Sequence, residues 1–214
     1  REAVRAASRV NGGAQKLAGL VESKTLDPEL TQAVAAGLHA APSRSTREMA
    51  NRLFPLPPVK EGKPLPPIGQ LVSMKGDAVN GRVIFNTTGT CHKCHIVNKI
   101  GREFGPDLSE IGSKLSPQAM FESIIFPSAG ISHNYEAYTL VTASGTTITG
   151  LITSETEDSI SIKGDDALIR TFKMDEIDEK VKQKVSLMPS DLQKVMTVQE
   201  IVDVVAYMQT LKKK

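Results

Sequence analysis

Cys91-His92-Lys93-Cys94-His95 contains both cysteines of the chain. Cys-x-x-Cys-His is the spacing through which c-type haem is attached. Two thiols three positions apart can add to the two vinyl groups on one edge of a porphyrin. His95, next in the chain, then stands under the iron and offers an imidazole nitrogen as axial ligand. The spacing is specific, because two cysteines placed at random in such a chain fall three apart in roughly 1% of cases. Other chemistries also use paired cysteines. A zinc site needs two further ligands, for which only His39 and His133 remain. A thioredoxin-like redox pair needs a βαβ setting, which the pattern after the motif does not offer. A structural disulfide framework is excluded by the count.

A haem iron bound this way takes a sixth ligand or keeps an open site. A distal methionine raises the reduction potential and suits electron transfer. Of seven methionines, Met188 in Ser186-Leu187-Met188-Pro189 falls in a loop before the last amphipathic helix, where Pro189, with its fixed φ, stiffens the chain. Met120, Met196 and Met208 fall on expected helices and read as core residues. Met174 is the rival methionine, and His133 is a rival imidazole that would lower the potential. Ile96, Phe104, Leu108, Ile111, Leu115, Phe121 and Ile125 are the apolar residues that could line a haem pocket. Lys93, Lys99, Arg102 and Lys114 could steer an acidic partner.

The elements that must position these groups follow from periodicity. Residues 1–53 read as short helices, with apolar residues such as Leu30, Val34 and Leu38 at spacings of three or four and breaks at Asn11-Gly12-Gly13 and Ala41-Pro42-Ser43. They resemble the end of a HEAT-type array. Six of the twelve prolines lie in residues 54–70, which reads as a semi-rigid linker and domain boundary. Residues 71–214 form the second expected domain. Asp77 caps a helix through Phe85, Ser116-Pro117 opens another, and Thr197 with Glu200 forms a capping box for the last. Between them, residues at about 131–180 turn to short β-rich runs, an inserted antiparallel sheet or barrel.

Composition sets the outer limits. The chain has 214 residues, 40% hydrophobic and 23% charged, and 26 Lys+Arg against 24 Asp+Glu give no argument for nucleic acid. No apolar run is long enough to span a membrane. Six Phe, three Tyr and no Trp are a thin aromatic supply, which leaves room for another flat apolar body as core filler. The opening residues Arg1-Glu2-Ala3-Val4-Arg5 carry no initiator Met and no signal core, so the sequence reads as a segment of a longer protein.

The strings Gly76-Asp77 to Phe85, Cys91 to His95, Gly105-Pro106-Asp107-Leu108, Ser123 to Ser128, Ser186 to Pro189 and Gln199 to Tyr207 together resemble a class I cytochrome c. More closely, they resemble a haem-binding domain family of planctomycetes and verrucomicrobia. The resemblance implies a mainly α cytochrome c fold, with three to four helices around haem c and the β-rich segment inserted. It implies that the Pro106 carbonyl accepts the other N–H of His95, that Met188 is the distal ligand, and that Gly81 and Phe85 cross the last helix at Tyr207. It further implies single-electron transfer as a C-terminal redox module of a larger extracytoplasmic, periplasmic protein. Such a module is not a complete enzyme on its own, and its partner is a redox protein or an upstream dehydrogenase-like domain. Two alternatives remain: a haem sensor or catalyst with a labile sixth ligand, and a module that binds protein or carbohydrate.

Overall fold

The computed structural model describes residues 2–213, which fold as two compact units interleaved along the sequence. The helical unit takes the chain up to Thr90, Glu110–Gly130 and the segment from Pro189 onward. The second unit takes Cys91–Ser109 and Ile131–Met188. Among the described residues no helix is long and apolar enough to cross a membrane.

The helical unit begins with α1 (Glu2–Ser8), α2 (Asn11–Glu22), α3 (Thr31–His39) and α4 (Arg44–Leu53). Their periodic apolar residues meet in one core of Val4, Ala14, Leu17, Ala33, Val34, Leu38 and Ala50. The expected break at Asn11-Gly12-Gly13 falls instead at Arg9-Val10, and both glycines lie inside α2. A Cβ on Gly13 would run into the Ala7 backbone, so glycine here serves the close approach of α2 to the end of α1. Side chains supply the helix starts. Asp27 accepts from Glu29 N at 2.9 Å ahead of α3, and Ser43 accepts from Thr46 N at 3.4 Å at the start of α4.

The proline-rich segment folds back on itself. Pro58 bridges Pro64, Val59 and Leu65 are buried, and Lys60 N donates to Met196 O at 3.0 Å. Next come α5 (Ile68–Ser73), α6 (Ala78–Asn86), α7 (Ile111–Lys114), α8 (Pro117–Ile125) and α9 (Val198–Thr210). Helices α6 and α9 cross with almost no gap. A Cβ on Gly81 would overlap the Asp203 carbonyl and stand 2.9 Å from Tyr207 Cβ. Phe85 meets the Tyr207 ring edge-on at 5.5 Å. Asp203 locks the crossing by accepting from Asp77 N at 2.8 Å, Asn80 Nδ2 at 2.7 Å and Gln199 Nε2 at 2.8 Å.

The expectation of a mainly α chain with a cytochrome c fold, its helices around haem c and its β-segment a mere insert, is overturned. Five strands form an antiparallel sheet with its own core, so the chain pairs a helical unit with a β-containing one. The strands are β3 (Ala137–Thr142), β4 (Thr147–Glu155), β5 (Ser159–Lys163), β6 (Ile169–Lys173) and β7 (Ile177–Lys182), in the order β6-β5-β4-β3-β7. The physical reason lies in their apolar content. Leu140, Ile160 and Ile162 are fully buried, and Ile148, Ile152, Phe172, Met174 and Ile177 pack on them, enough for an independent core.

The sheet is strongly curled. Its two edge strands, β6 and β7, are joined by a single 3-10 turn, Met174–Glu176. Such a turn rises only about 2 Å per residue, whereas the edges of a flat five-stranded sheet would stand roughly 19 Å apart. Two register shifts accompany the bend, between Ile152 and Ser154 of β4 against β5 and between Val141 and Thr142 of β3 against β7. Across the curl, Lys180 of β7 pairs with Glu155 of β4 at 2.5 Å. The remaining hairpin of this unit, β1 (Ile96–Val97) and β2 (Ile100–Gly101), turns through Asn98 and Lys99, both at positive φ.

One titratable group is enclosed in the helical unit. His39 is 1% exposed and stacks on Phe126, with ring centroids 5.7 Å apart. Its Nε2–H donates to Phe54 O at 2.9 Å, and no described donor reaches the buried Nδ1. Burial holds the imidazole below its ordinary value of 6.5, against the opposing pull of the Phe54 carbonyl.

Two outcomes follow for this unit. Gly81→Ala destabilises the protein by about 3 kcal/mol or more, since backbone must move. Gly19→Ala, in open space inside α2, stabilises it by about 1 kcal/mol; urea unfolding of both reads the opposite signs. With its folded pKa depressed, neutral His39 contributes stability that is complete above about 6.5 and lost as pH falls below it. The melting temperature of His39→Gln therefore declines less steeply than that of the parent between about pH 7 and about pH 5.5.

Candidate functional site

Cys91–Lys93 form one 3-10 turn, closed by Cys94 N and His95 N, which donate to Cys91 O at 3.1 and 2.9 Å. That turn presents both thiols and the imidazole from five consecutive residues. The thiols are half-buried and not joined in a disulfide. Burial pushes the Cys91 thiol up to about 12 and raises Cys94 as well, so both are protonated at neutral pH.

The segment after the β1-β2 hairpin wraps back over the motif. Arg102 N donates to His92 O at 3.0 Å, and Phe104 N and Gly105 N share the Cys94 carbonyl at 3.1 and 2.5 Å. Leu108 N donates to Ile96 O at 2.9 Å. The loop is tied to the sheet of its own unit by Lys163, which donates to Glu103 O at 3.1 Å, and by Arg102, which donates to Asp165 O at 3.2 Å.

This wrapping fixes the His95 ring. Its Nδ1 lies 2.8 Å from Pro106 O. A carbonyl only accepts, so Nδ1 carries the proton and Nε2 is left as the lone-pair nitrogen. The ring lies against the Gly105 backbone, where a Cβ would stand 2.6 Å from Cε1 and 2.9 Å from Nδ1. Burial keeps the imidazole neutral at neutral pH, and the Pro106 carbonyl pulls partly the other way. The product is a neutral, oriented imidazole with a chosen ligating nitrogen, beside two protonated thiols.

Covalent haem and a metal cage ask different things of such a set. Zinc takes thiolates converging with other ligands on one point. Among the described residues no group of three or more His, Cys, Asp or Glu side chains converges in that way. Attachment of haem instead needs thiols directed at a ring edge and an imidazole directed at its centre, which are separate targets.

The remaining candidates are divided between the units. Phe104, 7% exposed, half-buried Leu108 and half-buried Met188 belong with the motif in the second unit. Met188 lies in the loop after β7, where its N–H donates to Ser186 Oγ at 3.1 Å. Met174, partly buried, packs on the sheet core, and His133 sits exposed in a turn. Ile111, Leu115 and Ile125 belong to the helical unit. Ile111 opens α7, Leu115 is 38% exposed beyond it, and Ile125 is buried at the end of α8.

The part played by Gly105 escaped sequence reasoning. Its one available signal was a residue without a side chain directly before Pro106. No protein-family model matches the chain, and no curated protein matches it.

Gly105→Ala is expected to displace the ring and break the bond to Pro106. In the haem-free chain, the ¹⁵N shifts of His95 then move from a single tautomer towards the averaged values of a free imidazole. Unchanged shifts would contradict the packing described.

Proposed function

We propose that the chain carries one haem c, joined to Cys91 and Cys94 with His95 as axial ligand, and serves as a single-electron transfer module. The observation that carries this reading is the His95 ring, held by the Pro106 carbonyl and the Gly105 backbone with Nε2 left to ligate. Bound there, haem would supply the one-electron couple of its iron.

The chain's own residues would do the rest. Cys91 and Cys94 fix position and rotation through two thioethers. Pro106 O orients His95 and raises its basicity as a ligand. Phe104 and Leu108 supply apolar surface that keeps water from the site. Met188 is the candidate for the sixth position, from a loop stiffened by Pro189. The partner is a redox protein, or a dehydrogenase-like domain upstream in a longer chain. Attachment to reduced thiols occurs on the export side of the membrane, so the reading carries an extracytoplasmic, periplasmic location.

Production in a host that matures c-type haem tests this. The intact mass is expected to rise by one haem that acidified acetone does not extract, and the Cys91→Ser/Cys94→Ser chain is expected to gain none. Parent protein made there without added mass would overturn the reading. In the loaded protein, Met188→Ala is expected to lose the near-infrared methionine-to-iron band and to bind carbon monoxide rapidly when reduced. A parent that already binds it rapidly is a sensor or catalyst rather than an electron carrier.

A further inference from the structure

The helical unit contains a cavity of about 240 Å³ that shares no residue with the cysteine motif. Its polar lining is Arg5, Ser8, Arg9, Ser116, Gln118 and Glu122. Arg5 lies on α1 and Arg9 just beyond its end; both line the cavity, and the charge of each acts on Glu122, whose carboxyl is raised by burial and lowered by the two arginines. Among the described residues neither has an ion pair or a side-chain hydrogen bond. The other lining groups are largely committed. Ser8 Oγ donates to Arg5 O at 2.9 Å, and Gln118 Nε2 donates to Glu122 Oε1 at 3.1 Å. Ser116 Oγ accepts from Ala119 N at 3.3 Å and keeps its own proton to give. The unspent capacity is therefore almost all donor, and two guanidinium groups against one carboxylate leave one positive charge.

We propose that this cavity binds a small organic monoanion of the carboxylate class, gripped by Arg5 and Arg9 with the Ser116 hydroxyl. A cation is refused by the two arginines. An apolar guest would leave donors unpaired. A dianion would exceed the charge by one and face the Glu122 carboxylate. The planar guanidinium fork matches the two oxygens of a carboxylate, and the volume holds a molecule of only a few heavy atoms.

The test is a titration of the full chain with acetate at about pH 8, with chloride substituted to keep ionic strength constant. It is read from the side-chain Nε–H signals of Arg5 and Arg9 and the amide of Ala119. Saturable shifts are expected. Arg5→Gln/Arg9→Gln, at exposed positions that tolerate the change, should weaken binding about tenfold or more. Glu122→Gln should tighten acetate binding severalfold and admit inorganic phosphate. Three results would each overturn the proposal: acetate shifts no different from those of chloride, full affinity retained by the double variant, or phosphate binding the parent more tightly than acetate.

Discussion

The hydrogen bond from His95 Nδ1 to the Pro106 carbonyl decides what the motif can do. Without it, an imidazole next to two thiols would sample both tautomers and many orientations. With it, one nitrogen holds the proton and the other is fixed as a lone-pair donor. The bond in turn depends on backbone. Residues 104 and 105 are pinned to the Cys94 carbonyl, and the absent side chain of Gly105 lets the ring lie flat against them. The loop that does this has little apolar mass of its own. Its order comes from hydrogen bonds to the motif it covers and from the Lys163 and Arg102 ties to the sheet. The β-containing unit is thus part of how the motif is held, rather than decoration on a helical domain.

What was legible in the sequence was mostly local. Asp77, Ser116 and the Thr197-Glu200 pair cap helices where their types and spacing place them, because a cap is an interaction over two or three residues. The cysteine spacing was legible for the same reason. Strand β7 was not. Ile177–Lys182 is a charged edge strand whose side chains are exposed after the first residue, so it lacks the alternation that marks a half-buried strand. The independence of the sheet was also hidden. Short apolar runs show that strands form, but whether their apolar faces meet one another or a helix depends on how the curl closes. Of the pocket residues, Phe104 and Leu108 come together with the motif through contacts near in sequence, whereas Ile111, Leu115 and Ile125 fall in the other unit.

Half-buried Cys91 and buried Asp203 show the same physics with opposite results. Burial alone penalises the charged form of each. At Cys91 burial outweighs the opposing pull of a backbone hydrogen bond, and the thiol is held protonated. At Asp203 burial again pushes the carboxyl up, but donors from Asp77, Asn80 and Gln199 outweigh it and hold it below the ordinary carboxylate range. The difference follows the task. The α6–α9 crossing needs an acceptor strong enough to gather three donors where glycine has already brought the backbones together, and only the ionised acid provides it. In the proposed attachment, a thiol that would form a thioether has no use for a permanent charge, which would draw solvent or a metal ion into its surroundings. Each group is left in the protonation state its neighbours can satisfy, and at Asp203 those neighbours are one backbone amide and two side-chain amides placed by the fold.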